Sequence, residues 1–150
     1  MRLGEILALT KDKIRTGIIE ISASYSLEEG LKSTKSGKVR YAPVLPRIEQ
    51  RILEIGKEPF IFSLNGSKPF HQCQINAVLN RRMKEIGLDK KGHSFHSFRH
   101  FFNTQLINSG VQGDMVRSVI GHSSTDMTDI YLHGENLEMK QIREVQEGLL

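Results

Sequence analysis

The chain has 150 residues, of which 38% are hydrophobic and 25% charged, and its formal net charge is +4. These values predict one soluble globular domain and exclude a disordered chain, and no apolar run approaches the roughly 20 residues of a membrane-spanning helix. The first five residues lack the apolar core of a signal peptide, and the single cysteine, Cys73, cannot form an internal disulfide, so the sequence favours the cytoplasm.

Positive charge is concentrated in one segment. Between Leu31 and Arg51 there are six basic residues and one acidic residue, Glu49, whereas the charged residues after Tyr131 are mostly acidic. A solvated basic face explains this segment about as well as a nucleic-acid-binding surface does.

One helix and one strand are predicted near the start of the chain. The apolar residues of Arg2–Leu9 recur with a helical period. Thr16-Gly17 has the composition of a turn, and the β-branched run Ile18–Ile21 that follows is predicted as a strand.

A β-hairpin is predicted further along. Two extended runs, Lys32–Lys35 and Lys38–Val44, flank Ser36-Gly37, a dipeptide with the chemistry of a tight turn. We therefore expect a small antiparallel sheet with Lys35 beside the hairpin turn. The preceding residues 22–30 are ambiguous, with a loop as one interpretation.

The remainder of the chain is predicted to be helical. Pro46 suits the first turn of a helix, and glycines at three later positions suit helix ends. Apolar periods predict helices over residues 46–55, 72–86, 97–108, 114–120 and 137–149, and a short helix that carries Met127 and Tyr131. The predicted fold class is therefore mainly α with a small antiparallel β-sheet (α+β).

Several residues carry chemistry that suits a phosphate. His96 and Arg99 are three residues apart at a predicted helix start, so they share a face and can both donate hydrogen bonds to one anion. His122 follows a glycine at a helix end, and Tyr131 comes nine residues later. Taken singly, each is more often an ordinary surface, loop or core residue.

In combination these residues suit attack on a phosphodiester. The transition state gathers negative charge on the non-bridging oxygens, which Arg2, Arg99 and a histidine can stabilise. Tyr131 can act as the nucleophile if nearby cations or a histidine base help it to lose its proton, and Lys35 can protonate the leaving oxygen. No Asp/Glu cluster typical of a magnesium nuclease is evident, so neither a metal nor another cofactor is expected.

The order and spacing of these motifs closely resemble the tyrosine recombinase (phage integrase) family. Each motif is weak by itself, but together they span Arg2 to about Leu132. The motifs are Arg2-Leu3-Gly4-Glu5, Thr34-Lys35-Ser36-Gly37, His96-Ser97-Phe98-Arg99-His100, Ile120-Gly121-His122 and Tyr131.

The resemblance implies a role for each residue. Binding of the scissile phosphate would fall to Arg2, His96, Arg99 and His122. Lys35 resembles the hairpin lysine that acts as general acid on the 5′-hydroxyl leaving group, and Tyr131 resembles the nucleophile that forms a 3′-phosphotyrosine. Glu5 resembles a supporting acid. Because the phosphotyrosine link keeps the energy of the broken bond, religation would need no ATP.

The resemblance also implies partners and a domain organisation. Double-stranded DNA is the expected substrate, in a reaction such as the integration of a mobile element. We expect residues 1–150 to be a catalytic domain whose usual N-terminal DNA-clamping domain is absent from this chain, which would leave it weak or inactive by itself. The final helix, Leu137–Leu149, resembles the segment through which protomers associate on DNA, although packing back on its own domain is equally compatible.

Three other interpretations compete with this one. The same fold could bind DNA without cutting it, as a fragment or a regulator, and a type IB topoisomerase shares the cleavage chemistry. A zinc site is the third interpretation, and it is less favoured because Arg99 places positive charge on the face of its central histidines. Its candidate ligands are His93, His96, His100, His122 and His133.

Overall fold

A computed structural model of the chain describes residues 1–88, 93–121 and 137–150. In chain order its elements are α1 (Leu3–Leu7), β1 (Ile14–Arg15), β2 (Ile18–Ile21), β3 (Ala23–Ser26), β4 (Gly30–Ser33), β5 (Arg40–Pro43), α2 (Pro46–Ile55), α3 (Gln72–Glu85), α4 (Phe95–Asn108), α5 (Gly113–Ile120) and α6 (Leu137–Gly148). Helices therefore dominate and the strands are short, which confirms the predicted α+β class. No helix in these three ranges is both long and apolar enough to cross a bilayer.

The strands form two antiparallel sheets. Strands β1, β2 and β5 make a three-stranded sheet in that order, in which Ile18 lies opposite Pro43 and Ile21 lies opposite Arg40. Strands β3 and β4 pair with each other as a separate hairpin. The predicted turn at Thr16-Gly17 connects β1 to β2, and Gly17 adopts a φ of 74°, which glycine tolerates readily.

The predicted hairpin around Ser36-Gly37 is wrong in its pairing. Strand β4 pairs with the preceding strand, β3, which lies in the ambiguous residues 22–30. Strand β5 pairs with β2 instead of β4. The physical reason is apolar burial. In the sheet, Ala42 of β5 lies opposite Ile19 of β2 and packs on the same core, whereas most of β4 is exposed and offers little apolar surface.

Two clusters of apolar side chains form the core. The first surrounds the three-stranded sheet and contains Leu9, Ile19, Ile21, Val44 and Ile61. The second lies among the last three helices and contains Leu106, Val111, Met115, Val116, Val119, Ile120 and Ile142. Helix α6 also contacts β5, where Gln146 Nε2 donates to the Pro43 carbonyl at 3.0 Å. In this chain α6 therefore packs back on its own domain.

Helices α3 and α4 bury less of their apolar surface than their periodicity predicts. Met83 is the buried residue of α3, and Leu106 is the buried residue of α4. Phe98 and Phe101, which the helical period assigns to the inner face, are 58% and 53% exposed. The apolar periodicity predicts the helix correctly, but no other part of the described ranges covers these two rings.

Shortening Ile142 to alanine is expected to destabilise the fold. Its side chain is fully buried, so Ile142→Ala should lower the free energy of unfolding by about 2–4 kcal/mol through lost apolar burial and a residual cavity. Urea unfolding at several protein concentrations measures this change. Leu150→Ala, at a 69% exposed position, is the control and should change little. A loss that varies with protein concentration would contradict packing of α6 within its own chain.

Candidate active site

The start of α1 fixes Arg2 against Glu5. Arg2 is the N-cap residue, and its backbone amide donates to Glu5 Oε2 at 2.5 Å while its Nη1 donates to Oε1 at 3.1 Å. An acidic residue in the first helical turn is also favoured by the partial positive charge of the helix N-terminus. The guanidinium of Arg2, whose side chain is 32% exposed, is thereby held by a carboxylate that is almost fully buried.

Arg40, on β5, binds the same carboxylate. Its Nη2 donates to Glu5 Oε2 at 2.6 Å, and the two side chains are 10% and 1% exposed. The sequence analysis counted Arg40 only as part of the basic segment and did not assign it to the site. Its partner Glu5 is 35 residues away in sequence, so no local pattern in the sequence marks the pair.

Glu5 remains an anion because of these two arginines. Burial is the largest single influence on its pKa and would raise it. The hydrogen bonds from Arg40 and from the backbone and side chain of Arg2, together with the positive charge of Arg40, outweigh burial and hold the pKa below its usual value. A charged carboxylate at this position is what keeps two cations close together in a poorly solvated place.

Helix α4 brings Arg99 to the same region. Together with Arg2 and His96, Arg99 lines a cavity of about 200 Å³. Burial, followed by the positive charge of Arg2, lowers the pKa of Arg99 to about 10, so the group is still a cation at neutral pH. Its Nη1 and Nη2 atoms are buried and find no hydrogen-bond partner in the part of the chain that the structure describes. A buried cation with two free donors is suited to bind an anion.

His96 lies at the rim of this cavity. Ser94 caps α4 by accepting a hydrogen bond from the His96 backbone amide at 3.2 Å, and the His96 ring meets that of His100 edge to face at 4.5 Å. The ring is largely exposed, yet its partial burial, followed by the charges of His100 and Arg99, lowers its pKa. At neutral pH His96 is therefore a neutral imidazole, which can donate from one nitrogen and accept at the other.

Lys35 lies on an exposed turn between β4 and β5. The buried Thr34 holds this turn, since its Oγ1 donates to the Lys38 carbonyl at 2.9 Å and its own carbonyl accepts from the Gly37 amide at 2.8 Å. Lys35 therefore lies at the turn, as predicted. Within the described ranges, Lys35 makes no hydrogen bond or ion pair and is not among the residues that line the arginine cavity.

His122 and Tyr131 lie outside the described residues, but Gly121, which precedes His122, belongs to the site. Gly121 ends α5 with a left-handed φ of 83°, and its carbonyl accepts from Arg2 Nη2 at 3.5 Å. A Cβ atom at this position would lie 2.7 Å from Cζ of Arg40, so a side chain here would displace the guanidinium. The end of α5 therefore packs directly on the two arginines that share Glu5.

A larger cavity of about 910 Å³ lies elsewhere, between the β1–β2 turn, α2 and α6. Leu53, Met139 and Arg143 are among its lining residues, and none of the four predicted site residues that the structure describes is. The volume of a cavity therefore does not identify the candidate active site in this chain. Over the described residues, no group of three or more His, Cys, Asp or Glu side chains is placed to hold a metal ion, and the zinc candidates His122 and His133 lie outside those ranges.

The fold and this arginine cavity define a class, namely a mainly helical domain with two small antiparallel sheets and a cluster of partly buried arginines. The chain belongs to the phage integrase family, whose model matches residues 1–138. This match confirms the resemblance drawn from the motifs.

Individual relatives agree with the family. The tyrosine recombinase XerD of Corynebacterium glutamicum is 28% identical over 98% of this chain and 47% of its own length. The tyrosine recombinase XerC of Pediococcus pentosaceus is 30% identical over 89% and 45%. The solved integrase of transposon Tn1549, in complex with a circular intermediate DNA, shares the fold with a TM-score of 0.71 at 19% identity, over 97% of this chain and 54% of that one. The chain thus spans about half the length of these relatives.

The Glu5 carboxylate is expected to supply stability that is lost in acid. A carboxyl with a lowered pKa in the folded state stabilises the fold fully above its unfolded pKa, near 4.5, and stops doing so as the pH falls through the folded value. Glu5→Gln should therefore destabilise the fold by about 3 kcal/mol at neutral pH and flatten its loss of stability below about pH 4.5. Urea unfolding from acid to neutral pH measures both effects.

Glu29→Gln is the matched control for this experiment. Glu29 pairs with Lys32 on the exposed β3–β4 hairpin, where solvent screens the interaction, so the variant should keep the acid dependence of the wild type. If Glu5→Gln and the wild type lost stability in parallel on acidification, the buried ion pair would not be the source of that dependence.

Proposed function

We propose that this chain is the catalytic domain of a tyrosine recombinase that breaks and rejoins DNA through a 3′-phosphotyrosine. The observation that carries the proposal is the cavity lined by Arg2, His96 and Arg99, in which two buried donor atoms of Arg99 lack a partner within the described residues. Two non-bridging oxygens of a phosphodiester have the charge and the spacing that guanidinium groups bind well. Membership of the phage integrase family supports the same reading.

The proposed reaction is an exchange of one phosphate ester for another. Arg2 and Arg99 bind the non-bridging oxygens, and the hydroxyl oxygen of Tyr131 attacks phosphorus while a base, with neutral His96 as the candidate, takes its proton. The bond from phosphorus to the 5′ oxygen breaks, and Lys35 protonates that oxygen. Attack by a 5′-hydroxyl on the phosphotyrosine reverses these steps, so neither ATP nor a metal is needed to reseal the strand.

The charge arrangement supports a role for this cavity in the transition state. The positive charge of Arg2 lowers the pKa of Arg99, which means that the two guanidiniums repel each other when no anion lies between them. A phosphate that gains negative charge during attack relieves this repulsion most strongly at the transition state. Fixed cations of this kind are expected to lower the barrier without having to reorganise.

Duplex DNA is the proposed partner. The Tn1549 integrase was solved in complex with a circular intermediate DNA, and the relatives named above are recombinases. In this chain the exposed Lys32, Lys35 and Lys38 lie on β4 and the turn that follows it, and they could contact the DNA backbone outside the cut site. The proposed place of action is the cytoplasm of a bacterial cell, where DNA is accessible, and the bacterial relatives named above support this proposal.

Self-association on DNA through the C-terminal segment is a further part of the proposal. Helix α6 packs on its own core through Ile142, so a neighbouring protomer would bind the surface of the segment Leu137–Leu149 that this core leaves exposed. Leu149 and Leu150 at the end of the chain are 38% and 69% exposed, which leaves apolar surface that a neighbour could cover.

The proposal predicts a covalent complex that depends on Tyr131. With a nicked suicide substrate, the protein should form an adduct that survives denaturing electrophoresis, and Tyr131→Phe should abolish it because the phenyl ring lacks the attacking oxygen. Tyr25→Phe is the matched control and should still form the adduct. DNA binding by Tyr131→Phe, measured by mobility shift, should be close to that of the wild type. An adduct from the Phe variant would assign the nucleophile elsewhere.

The same experiment separates the alternatives. Binding without an adduct in the wild type would favour a non-cutting DNA-binding module. An adduct at many sites, combined with relaxation of supercoiled DNA, would favour a topoisomerase-like activity.

Arg99 is expected to matter far more for cleavage than for binding. Arg99→Ala removes two buried donors from the phosphate, so the first-order rate of adduct formation at saturating DNA should fall by about 100-fold or more. Its matched control is Arg117→Ala on α5, where the guanidinium is 54% exposed and pairs with Asp114, and its cleavage rate should stay near that of the wild type. A wild-type rate for Arg99→Ala would remove Arg99 from the site.

A further inference from the structure

We propose that Arg40 is a positioning residue of this active site, one that orients Arg2 through Glu5 and supports the backbone of Gly121. The inference rests on the proposed function, since it names a further residue for the same reaction. It starts from the fact that Arg40 is nine-tenths buried and shares the Glu5 carboxylate with Arg2.

The first contact of Arg40 fixes the start of α1. Glu5 Oε2 accepts from Arg40 Nη2 at 2.6 Å, while both Glu5 oxygens accept from Arg2. A carboxylate held by Arg2 alone could rotate about its side-chain torsions together with that flexible arginine. The bond to Arg40 anchors it to β5, a strand of the three-stranded sheet, and so gives the Arg2 guanidinium one preferred position.

The second contact of Arg40 lies at the end of α5. A Cβ atom added to Gly121 would have three Arg40 atoms as its nearest neighbours, namely Cζ at 2.7 Å, Nε at 2.7 Å and Nη1 at 3.1 Å. Nε and Nη1 are also the two Arg40 atoms that are buried without a hydrogen-bond partner in the described part of the chain. One guanidinium therefore joins the first residues of α1 to the residue that precedes His122.

Leaving these two donors unpaired is unfavourable for stability. A buried polar atom without a partner typically costs about 1–3 kcal/mol, and a hydrophobic side chain at this position would avoid that cost. The guanidinium instead adds positive charge beside Arg2 and Arg99, and the charge of Arg40 is among the influences that lower the pKa of Arg99. Such a residue fits a role in the site better than a role in the stability of the fold.

The test compares cleavage and binding in variants of Arg40. Arg40→Met removes the charge and every donor, and Arg40→Lys keeps one charge beside Glu5. At saturating suicide substrate, Arg40→Met should form the adduct about 10- to 100-fold more slowly than the wild type, and Arg40→Lys should be slowed less. DNA affinity of both should stay within about threefold of the wild type, since neither variant removes a proposed phosphate ligand. Arg51→Met, at a 70% exposed position on α2, is the control and should cleave normally.

A double-mutant cycle tests whether Arg40 acts through Glu5. If it does, Arg40→Met combined with Glu5→Gln should be about as slow as the slower single variant, and additive losses would overturn this route. Rates are compared below the thermal midpoint of each variant. Wild-type cleavage by both Arg40 variants would overturn the proposal, as would failure of both to fold, because Arg40 would then be a residue of the fold only. If the wild type itself forms no adduct, the proposed function fails instead.

Discussion

The buried carboxylate of Glu5 is the interaction on which the arrangement of the site depends. It accepts hydrogen bonds from the backbone and side chain of Arg2 and from the side chain of Arg40, at distances between 2.5 and 3.1 Å. Without this negative charge, two guanidiniums would face each other in a poorly solvated place, and their repulsion would separate α1 from β5. The acid that the sequence marks only as supporting is therefore the centre of the charge network.

Positive charge is nevertheless in excess around Glu5. Three guanidiniums, those of Arg2, Arg40 and Arg99, lie near one carboxylate, and four of their buried nitrogen atoms have no partner in the described ranges. A fold selected only for stability would pair or replace such groups. An excess of preorganised donors is the expected state of a site that stabilises negative charge during a reaction, and its unfavourable contribution to stability is offset by the two apolar cores.

The sequence predicted those features that depend on local chemistry. Helix α2 begins at Pro46 as predicted, and α5 is followed by its predicted end residue, Gly121. Arg2, His96 and Arg99, which the motifs grouped, line one cavity. The pairing of β5 was missed because Ser36-Gly37 carries a local turn signal, whereas the choice of partner strand is made by distant apolar contacts. Arg40 was missed for the same reason, since its partner Glu5 is 35 residues away and no local pattern marks the pair.

The position of the site within the fold follows from the same long-range contacts. Arg40 belongs to the sheet that surrounds one apolar cluster, whereas Gly121 ends a helix that packs in the other. The arginine cavity thus lies near the junction of the two clusters, and small shifts between them would move the guanidiniums relative to one another. Because charge-assisted hydrogen bonds depend steeply on geometry, such shifts would weaken the proposed binding of phosphate before they unfolded the domain. Activity in this chain should therefore be more sensitive than stability to mutations at that junction.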